Sequence, residues 1–295
     1  MVTVPPTDES NTAAAADASR PMSGLYLVAT PIGNLEDLSP RARRVLAAVD
    51  RVLCEDSRVT GALLHAIGVK RPLWPYHEHN AERVRPQVLD ALARGERLAL
   101  VSDAGTPLIS DPGFKLVREA RAQGHRVVPV PGPSAVLAAL IVSGLPTDRF
   151  FFQGFLPAKP SARDRVIREL AGLSATLVLF ESAKRAGATL EALHAILGPR
   201  PACLARELTK TFEEVRTGDL ASLVRSCADD PPRGEVVLVI GGAEAAASLD
   251  EADLDAALLD ALARGSPSDA AREVAAATGL ARRDLYRRAL ALQRP

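Results

Sequence analysis

Cysteine is scarce in this chain. Cys54, Cys203 and Cys227 are odd in number and widely spaced, which argues against a disulfide framework and against a zinc site of the usual paired spacing. Such usage fits a reducing cytoplasm. Net charge is absent as well. Lys plus Arg and Asp plus Glu number 36 each, so no global basic field exists, and a nucleic-acid partner would have to be held by a local patch. No run of about 18 apolar residues occurs, so no membrane span is expected. Residues 1 to 20 carry Asp8, Glu9 and Asp17 where a signal peptide would need a basic start and an apolar block.

What is present is enough for a full core: 295 residues, 47% of them hydrophobic, with a length that suggests about two domains. Residues 1–22 are rich in Ala, Thr, Ser and Pro with almost no large apolar side chains, and are expected to be a disordered tail. From Gly24 strands and helices alternate. LYLVA, RVLCE, LALVS and RVVPV read as strands, and helices are predicted near Arg41–Ala48, Gly61–Ile67, Glu82–Arg94, Phe114–Gln123 and from Ser134. That rhythm predicts a mostly parallel sheet covered by helices. LPTDRFFFQGFLPAKPSARD breaks it and reads as an interdomain connection. A second α/β unit follows, with strands ATLVLFES, PACLARELT and EVVLVIGG and helices near Ala186–Leu197 and Leu220–Ser226. The remainder, containing SDAAREVAAATGLARRDLYRRALAL, resembles a helix-turn-helix with its turn at Thr278-Gly279.

Two strands end in Gly/Pro-dense turns, Asp103-Ala104-Gly105-Thr106-Pro107 and Pro131-Gly132-Pro133-Ser134. In an open α/β sheet the ligand crevice lies beyond the carboxyl ends of the strands, so both turns are expected to face one molecule. Glycine lets backbone approach a ligand, and proline fixes the turn. A carboxylate at Asp103 can accept hydrogen bonds from a ribose or an amino group, and the open backbone of Ala104-Gly105-Thr106 can pair with an adenine edge. The first turn, Thr30 to Pro40, sits where nucleotide folds bind phosphate. It lacks Gly-x-Gly-x-x-Gly and Gly-Lys-Ser, which leaves dinucleotide or nucleoside-triphosphate binding poorly supported and a plain structural turn open.

PIGNLED, CEDSR, YHEHN, SDAGTPLISDPG, PGPSA, GFLPAK and ARELTKTFEE occur in one order at strand ends across both halves. On these motifs the chain resembles the tetrapyrrole-methylase superfamily and, within it, the ribosomal RNA small-subunit methyltransferase I group, over roughly residues 24 to 242 and more weakly through the C-terminal helices. The resemblance implies two α/β domains, 23–145 and 146–245, with a cofactor cleft between them and a helical extension at 246–295. It implies S-adenosylmethionine as cofactor, a homodimer, and 2′-O-methylation of a cytidine of 16S rRNA in the decoding region of the 30S subunit. Neither metal nor membrane enters. Matched residue by residue, the cofactor site comprises Pro31, Gly33, Asp103, Gly105, Thr106, Ser134, Ala135, Phe180 and Ala205. The chain departs from the group at Ala183 and Lys184, where members carry Pro-His, and retains Arg185.

Methyl transfer needs an attacking oxygen in line with the methyl and help in removing its proton. Glu55, Asp56 and Lys210 are the catalytic candidates, with His77, His79 and Glu207 in the same implied cleft segments. The pair His77 and His79 has metal-ligand spacing but no evident third ligand. Arg58, Lys184 and Arg185 are candidates for an RNA-facing surface, as is a stripe of Arg282, Arg283, Arg287 and Arg288 at helical spacing, each set weighed against a solvated or packing role. Two other readings stand beside the leading one: a methyltransferase for a tetrapyrrole or other small molecule, and a non-catalytic RNA-binding protein.

Overall fold

The computed structural model describes residues 22–243, 251–278 and 280–293. The expected tail therefore lies outside the described residues except for Met22, whose carbonyl accepts a hydrogen bond from the Tyr26 hydroxyl. The start of the C-terminal extension and the turn residue Gly279 also lie outside them.

The first half forms an all-parallel sheet in the order β3-β2-β4-β1-β5. Its strands are β1 (Gly24–Val28), β2 (Arg51–Cys54), β3 (Leu73–Pro75), β4 (Arg97–Val101) and β5 (Val127–Val130). From Leu98 to Val101 strand β4 is continuously apolar because both faces are covered. Ala99 and Val101 pack with Val45 and Leu46 of α1 (Pro40–Ala48). Leu98 and Leu100 face the other way, against Val84, Val88 and Leu92 of α3 (Ala81–Ala93) and Leu116 of α4 (Phe114–Ala122). Helix starts follow cap chemistry: Ser39 accepts from the Ala42 amide before Pro40, and Asp56 accepts from the Arg58 amide at the head of α2 (Ser57–Ala66).

The second sheet is mixed, in the order β6-β7-β10-β8-β9. It comprises β6 (Phe150–Phe155), β7 (Thr176–Ser182), β8 (Pro201–Arg206), β9 (Glu214–Asp219) and β10 (Glu235–Ile240), and only β6 and β7 run parallel. One face, with Leu177, Leu179, Leu204 and Leu238, packs against α6 (Pro160–Leu170), α7 (Ala183–Leu197) and α8 (Leu220–Asp229). The other, with Val178, Cys203, Ala205, Val237 and Val239, receives α5 (Ala135–Val142) through Val136, Ala139 and Leu140. Helix α5 follows a strand of the first sheet yet packs on the second. It thereby joins the two halves.

Helices α9 (Glu251–Leu262), α10 (Pro267–Thr278) and α11 (Arg282–Leu292) share a small core of their own, including Leu254, Leu258, Ala271, Val274 and Leu285.

Four elements differ from expectation. The stretch read as a connection contains β6 and α6. Three consecutive phenylalanines hide the two-residue alternation, and a bulge between Phe152 and Gly154 shifts the register. In α6, Pro160 starts the helix at its first turn, where its missing N–H is harmless. Strand β3 is a three-residue edge ending in Pro75, and β9 is an edge strand of mostly charged and polar residues. Such edges carry little hydrophobic pattern to read.

Arg185 turns inward. Its guanidinium donates to the Leu156 carbonyl at 2.7 Å and pairs with Glu181 at 3.3 Å. Glu181, with only 1% of its side chain exposed, also accepts from Thr189 Oγ1. Arg185 is thus engaged inside the second half, with its side chain 35% exposed. Stripping a buried carboxylate of its cation costs about 3–5 kcal/mol, and the partial exposure of Arg185 brings this toward the lower end. Arg185→Ala is expected to lower the thermal unfolding midpoint by several degrees, as read by circular dichroism; an unchanged midpoint would mean the pair carries no load.

Candidate active site

The cleft floor consists of turns that brace one another. Thr30 and Gly105 exchange both backbone hydrogen bonds, at 2.9 and 3.1 Å, tying the turn after β1 to the turn after β4. Thr30 Oγ1 donates to the Ser102 carbonyl, and Ser102 Oγ donates to that of Gly105. Thr106 Oγ1 donates to the Pro133 carbonyl at 3.0 Å, which brings in the turn after β5. Gly105 adopts φ +80°, a conformation that favours glycine. The Asp56 amide donates to Asp103 Oδ1 at 3.1 Å, so the end of β2 holds one oxygen of that carboxylate.

Above this floor lies a cavity of about 420 Å³ between the two sheets. Asp103, Gly105, Thr106, Ser134, Ala135 and Phe180 line it together, as do Ile32, Ile109, Ser110, Asp111, Phe155, Glu181, Glu235 and Val237. Phe180 meets Phe152 and Phe155 with ring centroids 4.9 and 5.6 Å apart, forming an aromatic wall. Three of the cofactor candidates do not reach the cavity. Pro31 and Gly33 flank Ile32, which does, and Ala205 lies wholly buried beneath it, packed with Ile32 and Val237. At Gly33 an added Cβ would run into the Lys210 side chain. Gly33 therefore makes room for a lysine from the other half.

The charged candidates sort by their partners. Asp56 caps α2 and accepts from the Arg58 guanidinium; that side-chain bond above all holds its carboxyl down at about 2, which makes it a poor proton acceptor. Arg58 is the other member of that pair, with its side chain 89% exposed. Lys210 Nζ lies 2.9 Å from Glu207 Oε1 and 3.1 Å from Glu235 Oε2. Burial pulls its pKa down, but those two carboxylates outweigh burial and leave it above its usual value. Lys210 is therefore a cation bridging acids, not a base. Glu207, with φ +50°, accepts from the Glu235 amide, and chiefly this bond lowers its pKa. Glu55 follows β2 with its pKa raised, by burial first and by Asp103 second. His77 and His79 sit edge to face at 6.1 Å, and among the described residues no group of three or more His, Cys, Asp or Glu could hold a metal ion.

Lys184 lines a separate groove with Cys227, Pro232 and Arg233. In the C-terminal module Arg288 turns inward to Asp255 at 2.5 Å, which removes it from the expected stripe. Arg282 donates to Ser268, and Arg283 and Arg287 lie beside Asp284 with side chains 88% and 72% exposed.

Sequence reading passed over Ile109, Ser110 and Asp111, although they belong to the quoted SDAGTPLISDPG motif. The signal was its repetition of Ser-Asp, at 102–103 and again at 110–111. Leu108, between these pairs, and Ser110, which opens the second, have φ of 72° and 63°. The loop thus turns back so that both Asp103 and Asp111 line the cavity.

Residues 24–224 match the tetrapyrrole (corrin/porphyrin) methylases, and residues 248–293 match the RsmI C-terminal HTH domain. Ribosomal RNA small subunit methyltransferase I of Mesorhizobium japonicum is 51% identical over 278 residues, covering 93% of this chain and 94% of that protein. The uroporphyrin-III C-methyltransferase of Thermus thermophilus superposes with a TM-score of 0.54 at 25% identity, covering 74% of this chain and 94% of that one. A further structure of that enzyme type from the same organism, complexed with S-adenosyl homocysteine, aligns at 22% identity with a TM-score of 0.52, over 74% and 97% of the two chains. With the braced turns, the inter-sheet cavity and the C-terminal helices all falling inside these matches, the chain belongs to the tetrapyrrole methylase family, among the ribosomal RNA small subunit methyltransferases I.

Proposed function

We propose that this chain is an S-adenosylmethionine-dependent methyltransferase that methylates the 2′-hydroxyl of a cytidine in the decoding region of 16S rRNA, taking the 30S subunit as substrate. The observation that carries the cofactor assignment is the cavity's lining. Asp103, Asp111, Glu181 and Glu235 are its acids, the last two paired with Arg185 and Lys210 outside the lining, and no lysine, arginine or histidine among the described residues lines it. A cationic ligand with an apolar body suits such a place. S-adenosylmethionine supplies an electrophilic methyl on a positively charged sulfonium when bound. Asp103 offers its second oxygen to ribose or amino donors, the 104–106 backbone and Ser134 offer the polar edge, and Ile109, Val136, Val237 and the phenylalanines exclude water. The RNA assignment rests on the relatives' printed names and on the C-terminal module. The bacterial cytoplasm follows as the compartment.

A homodimer also belongs to this reading. Helix α5 is apolar all round, a pattern expected of a helix covered on every side, yet Leu137, Ile141 and Val142 are exposed. A second copy of the chain is the proposed cover. Ile141→Lys is expected to move the mass seen by light scattering from dimer toward monomer; a wild type that is monomeric at all concentrations rules the dimer out.

Asp103→Ala removes one charged hydrogen-bonding partner, about 1.5–3 kcal/mol. Calorimetry is expected to show roughly 10- to 100-fold weaker S-adenosylmethionine binding. If wild type binds none, the cofactor assignment falls. Methyl label delivered only to a precorrin, and not to 30S subunits, would move the chain to small-molecule chemistry, while a bound cofactor with no transfer to any substrate would favour the non-catalytic reading.

The exposed arginines of α11 make a separate prediction. Replacing Arg282, Arg283 and Arg287 by Ala should weaken 30S binding and flatten its salt dependence by up to about 0.9 per lost phosphate contact, with cofactor affinity unchanged. Arg288→Ala should instead destabilise the helical module, because it strips Asp255 of its partner.

A further inference from the structure

Methylation of a ribose hydroxyl requires an acceptor for its proton, and most candidates near this cleft are already committed. Asp56 is held by Arg58, Glu207 and Glu235 by Lys210, and Glu181 by Arg185 and Thr189. Asp103 is anchored through one oxygen by the Asp56 amide. Asp111 is different. It lines the cavity, no cation of the described residues pairs with it, and it sits on a loop whose Leu108 and Ser110 take left-handed backbone angles. Residues other than glycine accept such angles at a cost of roughly 1–3 kcal/mol each, and such strain clusters at functional sites. Gly113 closes the loop at φ +134°, and an added Cβ there would come within 2.8 Å of Leu100 in the core. The loop is therefore fixed against the sheet, and Asp111 with it.

We propose that Asp111 is the general base that receives the 2′-hydroxyl proton. The proposal rests on the methyltransferase reading above. As the 2′-oxygen forms its bond to the methyl carbon, the bond from that carbon to sulfur breaks with its electron pair going to sulfur, and the proton passes to an Asp111 carboxylate oxygen. The products are the 2′-O-methyl ribose, S-adenosylhomocysteine and a protonated Asp111, which then releases its proton to water. No redox partner is needed.

The surroundings favour this role. Glu55 from the end of β2 and Asp103 from the end of β4 face Asp111, with Ser102 beside it. Burial first, and then these two carboxylates, push its pKa up to about 6, against the lowering influence of Ser102. A base poised there is ionised at neutral pH yet retains proton affinity. Glu55 is also raised, but it is exposed and does not line the cavity.

The sign of the stability effect follows. The folded pKa lies above the ordinary value of 3.8, so the fold disfavours the ionised form, and stability is lost as pH rises from about 4 through about 6. Asp111→Asn removes that loss.

Three measurements on the full-length protein test the assignment. In apo protein, Asp111→Asn is expected to melt higher than wild type at pH 8, with the gain gone at pH 4. With 30S subunits and labelled S-adenosylmethionine, kcat should fall at least about 100-fold, and the acid limb of the wild-type rate profile near pH 6 should vanish, whereas Glu55→Gln should retain it. Asp111 is one of the cavity's acids, so cofactor affinity by calorimetry is expected to fall as well, but by about tenfold at most, leaving the loss in kcat at saturating cofactor as the larger effect. A variant that keeps the wild-type rate and pH profile overturns the proposal, as does one whose only defect is weakened cofactor binding, which would make Asp111 a ligand rather than a base. A wild type that transfers no methyl to 30S subunits defeats the parent reading instead, and the apo melting curves then still report whether Asp111 titrates as described.

Discussion

The cleft depends on one short helix that is apolar on every side. Helix α5 leaves the first sheet through Pro131-Gly132-Pro133-Ser134 and buries Val136, Ala139 and Leu140 on the second sheet. Burying each larger side chain contributes about 1.5–3 kcal/mol, enough to fix the halves against each other. Ser134, which caps α5, and Ala135, its first residue, line the cavity. The contact that holds the halves together therefore also sets the width of the site. Thr106, reaching across to the Pro133 carbonyl, carries that placement back to the turn after β4.

Around this frame the charges divide into those that hold the protein together and those left to act. Lys210 bridges Glu207 and Glu235 and lies across Gly33. It thus reaches from the second half over the first turn of the first half. Asp56 stabilises a helix start and positions Asp103 through its amide. These side chains sit at strand ends near the cleft, and each is held there by a cap or an ion pair. Asp111, with which no cation of the described residues pairs, stands on a strained loop, and burial makes its ionised form costly. Natural proteins retain such costs where function needs them.

How much was readable from the sequence depended on whether neighbouring residues alone decided the structure. Stretches such as LALV and VVLVI are buried on both faces and stand out by composition. Edge elements do not: β9 is polar, β3 is three residues long, and β6 hides its alternation behind Phe150, Phe151 and Phe152. The turns at Asp103 and Ser134 could be placed together because the strand order of an α/β sheet brings such ends to one side. Asp111 could not be placed, since only the reversal at Leu108 and Ser110 returns it to the cavity. Pair formation was equally hidden. Nothing in the order of residues tells that Arg288 meets Asp255, or that Arg185 meets a buried Glu181.

The division of charge bears on how an overall neutral protein can act on a polyanion. An acid-lined cavity attracts a sulfonium cation but repels phosphate, so on the proposed reading the RNA backbone cannot be drawn in by the cleft itself. Binding must come from outside it, and the exposed Arg282, Arg283 and Arg287 lie on a separately packed helical module. Recognition by that module and insertion of one ribose at the cleft mouth then become separable steps. With affinity and chemistry supplied by different parts of the chain, the cavity is free to remain acidic, which suits both a cationic methyl donor and a carboxylate base.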